Sequence, residues 1–244
     1  MKLSSPEQDD FIQNTLVGPH QFEFGNANFH IVGETALFWP LYRVLIFADL
    51  HLEKASCYAT RGQMLPPYDS IATLEMIAEL ANQYAAEAVI CLGDNFHDDA
   101  GEGRLQGSAA TLLAKMTARY DWTWIIGNHD PNVGASWGGR VEAEWEVGDI
   151  MFRHEAESGW SGPEISGHYH PKLRMTVRGR SVNRRAFVMS ANKLIMPAFG
   201  TLTGGMEAND RVIHAALGWK DAQALVPLKH RLSRFALCLQ TRAK

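Results

Sequence analysis

Cysteine is scarce in this chain: three in 244 residues, at 57, 91 and 238, with no Cys-x-x-Cys pair. An odd and scattered set excludes a disulfide framework of the kind that staples small secreted domains, and it fits a reducing cytoplasm. Long apolar runs are missing as well. None approaches the roughly 18 residues of a membrane span, and the opening MKLSSPEQDD has no hydrophobic stretch of a secretory signal. Excess positive charge is also lacking. The net charge of −4 removes overall basicity as a reason to invoke nucleic acid and leaves only local patches. With 46% hydrophobic and 20% charged residues, the expectation is a cytoplasmic globular chain without a membrane partner, long enough for one large core.

What is present is a series of short apolar runs that end in polar, metal-binding residue types. Residues 1–27 are polar without a clear period and read as a loosely attached arm or peripheral strand; residues 28–244 read as a single domain. Alternation over 28–39 predicts a hairpin around Gly33-Glu34. Residues 43–48 (RVLIFA) are apolar almost throughout, the mark of a strand covered on both faces, and end at Asp49-Leu50-His51. After Pro66-Pro67, Asp69 or Ser70 is expected to cap a helix in which Ile71, Leu74, Ile77, Ala78, Ala81 and Tyr84 recur at helical spacing. A strand over 88–92 ends at Gly93-Asp94. A Gly- and Asp-rich loop (98–107) and a helix over 108–120 follow, and a strand over 122–126 ends at Gly127-Asn128-His129-Asp130. This β-α-β-α-β order implies a parallel sheet whose carboxyl edge carries all three polar motifs. In the second half, 141–147 and 150–153 flank Gly148-Asp149 as a hairpin running into His154, and 164–166 leads to Gly167-His168-Tyr169-His170. Further β-rich runs at 173–177, 186–189, 194–198, 212–217 and 235–239 suggest a second, mixed sheet packed on the first, with helices outside.

Asp49 and His51 are two apart, as are His168 and His170, so in extended backbone each pair points one way. Asp94, Asn128 and His154 bring the candidate ligands to two carboxylates, an amide oxygen and four imidazoles. A single strand-end Asp or His is ordinarily a turn or cap residue, the reading given to His20, His30, His214 and His230. Five strand ends all carrying ligand types call for another explanation. One tetrahedral zinc takes at most four protein groups. A larger N/O set without thiolate suits two divalent ions sharing a carboxylate, an arrangement that clamps phosphoryl groups with the ions about 3.5–4 Å apart. Manganese, iron and zinc all suit these donors, and spacing does not choose among them.

In this order, Asp49-x-His51, Gly93-Asp94, Gly127-Asn128-His129-Asp130, His154 and Gly167-His168-x-His170 resemble the motifs of the calcineurin-like metallophosphoesterases, over roughly residues 43–200. The resemblance implies an α/β fold, a four-layer α/β/β/α sandwich of two mixed sheets flanked by helices. It implies that one metal takes Asp49, His51, Asp94 and His170, and that the other takes Asp94, Asn128, His154 and His168. His129 would face substrate as acid or transition-state stabiliser, with Asp130 holding its imidazole in the useful tautomer. Where many relatives have a carboxylate after the bridging aspartate, this chain has His97, a candidate substrate contact or support for the ligands. The longer strings 49–54 (DLHLEK), 61–69 (RGQMLPPYD), 92–98 (LGDNFHD) and 196–205 (MPAFGTLTGG) resemble the bacterial DNA ligase-associated metallophosphoesterases more narrowly. That resemblance implies a phosphodiesterase or endonuclease of DNA repair, with DNA or a nucleotide as substrate and a DNA ligase, exonuclease and helicase as partners in the same system.

Independent support for nucleic acid comes from 172–185, where Lys172, Arg174, Arg178, Arg180, Arg184 and Arg185 occur without an acidic residue. Such a hairpin would neutralise phosphates flanking the scissile one, Arg174 among the contacts; a solvated face is the alternative. Trp137 and Trp160 are candidate base-stacking residues, with packing as the alternative. Arg61 and Tyr68 are candidate substrate contacts through the string around them. A small-molecule phosphoesterase and a non-catalytic binding subunit are the rival readings.

Overall fold

The computed structural model describes residues 19–134, 136–218 and 221–238, and the architecture below is that of these residues. An antiparallel meander, β1 (Gln21–Phe24), β2 (Ala27–Val32) and β3 (Ala36–Trp39), leads into β4 (Val44–Phe47). Helices α1 (Lys54–Thr60) and α2 (Asp69–Gln83) return the chain to β5 (Ala88–Leu92). Helices α3 (Gly101–Arg104) and α4 (Gly107–Arg119) return it to β6 (Asp121–Ile125), followed by β7 (Arg140–Glu142). These form one sheet in the order β1-β2-β3-β4-β5-β6-β7, parallel from β4 onward.

The chain then crosses to a second sheet: β8 (Glu144–Val147), β9 (Ile150–Arg153) and β10 (Glu164–Ser166). A separate hairpin, β11 (Lys172–Val177) and β12 (Arg180–Arg185), precedes β13 (Phe187–Met189) and β14 (Lys193–Ile195). Helix α5 (Arg211–Ala216), β15 (Ala222–Leu228) and β16 (Arg231–Leu237) complete it. The order is β16-β15-β13-β14-β10-β9-β8, with β10 parallel to both β9 and β14.

Three apolar layers hold four structural layers together. Leu45 and Phe47 face Leu74, Ile77 and Leu113 of the helices, whereas Val44 and Ile46 on the opposite face meet Phe152, Phe187 and Leu194 of the second sheet. The period-two alternation of a strand therefore yields a continuous apolar run when both faces are covered. Beyond the second sheet, Val188, Ile195 and Ala224 pack against Ile213 and Leu217 of the α5 region. The α/β/β/α sandwich of two mixed sheets is present.

Several elements differ from the sequence-based expectation. The run 141–147 is not one strand: β7 pairs with β6 in the first sheet and β8 with β9 in the second, so the chain changes sheets at Ala143. Of the run 212–217, residues 212–216 are helical and Leu217 caps the end, because the Asp210 carboxylate accepts from the Val212 amide at 2.9 Å and caps a turn that a short apolar run alone does not distinguish from a strand. Strand β15 was disguised by Pro227, which lies beyond the reach of its neighbour β13 and so breaks no ladder bond there. Asp69 and Ser70 do not cap α2; their side chains accept from Ala55 and Glu53 and fasten the start of α1, a helix that sequence periodicity had not revealed. Of the expected N-terminal arm, residues 1–18 lie outside the described residues, and Gln21–Phe24 is the edge strand β1. Leu239 of the last expected run also lies outside them.

Burial lowers the His30 imidazole below its ordinary 6.5, with the Phe38 ring edge-on to it. Between the folded value and 6.5 the unfolded chain binds more protons, so this residue's contribution to stability is lost as pH falls through that window. In urea titrations of metal-free protein, wild type should lose stability relative to His30→Phe on going from pH 7.5 to about pH 5.

Candidate functional site

Strands β4, β5 and β6 end at one edge, and their loops stay paired beyond the sheet. His51 N donates to Asp94 O at 2.9 Å, Leu52 N to Asn95 O at 2.9 Å, and His97 N to Leu52 O at 2.9 Å. From the second sheet, Gly167 N donates to His154 O at 2.9 Å, and Phe199 N to Ala48 O at 2.8 Å links the two sides. Asp49, His51, Asp94, His168 and His170 all have left-handed backbone, with φ of 54°, 45°, 46°, 71° and 48°. The extended-strand reason given for the Asp49/His51 and His168/His170 spacings is thereby corrected. Each pair lies past its strand end in left-handed backbone, and its side chains converge by that route. Such residues cost about 1–2 kcal/mol each, and strain of this kind persists only where surrounding structure enforces it. Close approach also needs glycine. A Cβ on Gly127 would overlap the Asp94 amide nitrogen, and one on Gly93 would lie 2.5 Å from the His154 ring.

The donors fall into two clusters that meet at Asp94. Asp49, His51, Asp94 and His170 offer ligand atoms all within 4.8 Å of one another. In the other cluster, Asn128 Oδ1 lies 2.8 Å from His154 Nε2 and 2.9 Å from His168 Nδ1. Asp94 Oδ1 is 3.4 Å from His154 Nε2, while its Oδ2 is 3.7 Å from His51 Nε2, so one oxygen faces each cluster. The chemistry of this set fits two cations. Ring nitrogens of different histidines face each other at 3.3 Å (His51, His170) and 3.1 Å (His168, His154) around carboxylates that are essentially buried. Such lone pairs need a proton or a cation between them. Burial first, then the neighbouring His170, His129, His97 and Lys54, holds His51 down at about 2, and burial also lowers His168. Both rings are therefore neutral and able to ligate. His154 Nδ1 lies 2.9 Å from the Leu92 carbonyl, which requires the proton there and leaves Nε2 for the pocket. Asp49 is fixed by the His168 amide at 3.1 and 3.0 Å.

His129 is exposed at the mouth, with Nε2 4.0 Å from Asp94 Oδ2. Its Nδ1 donates to the His97 carbonyl at 3.0 Å, and its amide donates to Asp94 Oδ1 at 2.9 Å. Asp130 does not orient it, contrary to the sequence-based assignment. The Asp130 carboxylate turns inward and accepts from Asn95 N, Phe96 N and Gly127 N at 2.9, 3.1 and 3.1 Å, and from Asn95 Nδ2 at 3.0 Å. It ties the loop after Asp94 to the loop before Asn128. Burial raises its pKa to about 6, against the hydrogen bonds from Phe96 and Asn95 that lower it. The His97 ring backs His51, Nδ1 to Nδ1 at 3.4 Å, and stacks on His129 with centroids 5.3 Å apart.

The remaining candidate contacts divide. Arg61, at the end of α1, is exposed, and its charge reaches His97. Tyr68 is exposed just before α2, and Arg174 is exposed on β11, where its amide donates to Glu207. Trp137 is not a base platform at the pocket. Its indole donates to Glu102 O at 3.3 Å and it packs on the helix-side core, while the next residue, Gly138, accepts from Trp124. Trp160 lies over the Arg153 guanidinium, 5.2 Å from its centroid. Arg185 of the basic run is also structural, donating to Phe199 O, Gly200 O and Thr203 Oγ1. Sequence reasoning missed Asn95, whose buried amide bridges Asp130 and Ile125 O; its position beside Asp94 was the available signal.

A family model described as calcineurin-like phosphoesterase matches residues 42–205. Among solved structures, Pseudomonas putida nuclease MPE is similar at 24% identity and a TM-score of 0.68, covering 88% of this chain and 99% of its own. A phosphoesterase from E. coli, Yfce, aligns at 12% identity and a TM-score of 0.41, covering 80% of this chain and 99% of its own. No curated protein matches.

Asp130→Ala should weaken divalent-metal binding roughly 10–100-fold in calorimetric titration, as loss of a group supporting the ligands does. It should also lower the unfolding free energy, because buried amide donors are stranded. Unchanged metal affinity would show that the Asp130 anchor does not support the ligands.

Proposed function

The chain belongs to the calcineurin-like phosphoesterase family, a metal-dependent phosphoester hydrolase by that membership, and on this premise we propose that it cleaves phosphodiester bonds of a DNA strand. The observation that carries the reading is the pair of donor clusters sharing Asp94, set at the edge from which the basic hairpin β11/β12 departs two residues after His170. In this proposal Asp49, His51, Asp94 and His170 hold one divalent ion, and Asp94, Asn128, His154 and His168 the other, manganese first with iron or zinc as alternatives. Bound there, two such ions supply Lewis acidity toward the phosphoryl group and the attacking water.

The chain's own groups do the rest. Asp94 keeps the two clusters in fixed register. His129, its Nδ1–H committed to the His97 carbonyl, presents Nε2 to the substrate, where it stabilises charge on a phosphoryl oxygen or protonates the leaving oxygen. Arg174, Arg178, Arg180 and Arg184 neutralise flanking phosphates. The fold is also that of a nuclease, which supports a polynucleotide substrate. A cytoplasmic setting, supported by three free thiols, and a role beside a DNA ligase, exonuclease and helicase in repair belong to the same reading.

Asp94→Ala should abolish hydrolysis together with metal binding. His129→Ala should keep its metals and lose turnover by about 10²–10⁴. Single-stranded DNA, duplex DNA and bis-p-nitrophenyl phosphate, assayed side by side, test the substrate class: hydrolysis of the small diester alone would sink the DNA assignment.

A further inference from the structure

Helix α1 is short, yet it is fastened on several sides. Ala55 N donates to Asp69 at 3.0 Å, Glu53 N to Ser70 at 2.8 Å, and Arg104 Nε to Ser56 Oγ at 2.9 Å, while Ala55 and Cys57 are buried. Its other face carries Lys54, Tyr58 and Arg61, spaced to share one side of a helix. That face adjoins the pocket. The Tyr58 ring lies 5.7 Å from the His97 ring, which stacks on His129. Lys54 Nζ stands 5.9 Å from the Tyr58 centroid. Among the described residues, neither Lys54 nor Arg61 has a carboxylate within salt-bridge distance, although the Asp69 charge bears on Lys54, and the Tyr58 hydroxyl makes no hydrogen bond. A half-buried ring without a hydrogen bond from its hydroxyl, with Lys54 beside it and the exposed Arg61 three residues on, offers a nucleotide an aromatic face for the base and positive charge for the phosphate.

We propose that the Lys54/Tyr58/Arg61 face of α1 is a subsite for the nucleotide next to the scissile phosphate, its base against Tyr58 and its outer phosphate met by Lys54 and Arg61. The proposal rests on the DNA reading above and deepens it. The scissile group lies at His129, His97 fills the space between, and Tyr58 is the next ring outward. The basic hairpin then serves the strand elsewhere at the same edge. Recognition by stacking and charge makes the subsite tolerant of base identity and sensitive to base removal.

The test uses full-length, manganese-loaded protein and two single-stranded oligodeoxynucleotides, one intact and one abasic beside the cleaved bond. Wild type should cleave the intact strand with roughly tenfold higher kcat/KM, and Tyr58→Ala should erase that preference. Tyr58→Phe should retain it, since the ring and not the hydroxyl is used. Lys54→Ala/Arg61→Ala should keep the preference for a base and flatten the log–log dependence of binding on salt by about 0.7 for each phosphate no longer neutralised. Manganese titration of each variant reports whether its metal centre is intact. If wild type cleaves the strand but Tyr58→Ala with intact manganese binding still discriminates against the abasic one, the subsite is overturned and the DNA assignment stands. If wild type cleaves neither strand, the DNA assignment falls, and the subsite falls with it.

Discussion

The carboxylate of Asp94 is the constraint on which the rest of the centre depends. It is buried, it turns one oxygen toward His154 and the other toward His51, and it also accepts the His129 amide. Bringing a charged group so far from water is unfavourable unless cations and hydrogen-bond donors surround it. The neighbouring loops are arranged to provide those donors. Gly127 lets one loop lie directly on Asp94, and Asp130 fastens that loop to the segment after Asp94 through buried amides.

The left-handed turns follow from the same requirement. Parallel strands deliver their ends side by side, but a strand continued straight would carry its side chains past one another. Turning at Asp49, His51, Asp94, His168 and His170 folds each motif back over the sheet edge, so donors from separate segments converge on a small volume. The conformational cost of five such residues is borne by the cross-loop hydrogen bonds and by the three apolar layers beneath.

Much of this was legible in the sequence, for identifiable reasons. Strands β4, β5 and β6 were readable because both faces are covered, which leaves a dense apolar run, and α2 and α4 because one face only is buried. Ligand types at strand ends pointed to one converging set, and the family resemblance grouped Asp49, His51, Asp94 and His170 within it; the cluster is present, reached through left-handed rather than extended backbone. The role of Asp130 was misread because adjacency to His129 says nothing of direction: successive residues leave a turn on different sides, and the buried amides of Asn95 and Phe96 claim its carboxylate. Trp137 was misplaced because a Gly-rich loop looks the same whether it lines a pocket or packs against a helix layer. Lys54 and Tyr58 on α1 stayed hidden because a helix this short has too few turns to display a period.

The division of the donors between the two sheets has a consequence for assembly. Asp49, Asp94 and Asn128 follow strands of the first sheet, whereas His154, His168 and His170 follow strands of the second, and the facing surfaces of the sheets meet through a layer of apolar side chains. Cations held among them, as proposed, would act as cross-links between the halves of the sandwich. The docked arrangement would bind them and the separated one would not, so mass action would couple metal supply to the cohesion of the molecule. Scarcity of the ions would then loosen the sandwich as well as silence its chemistry.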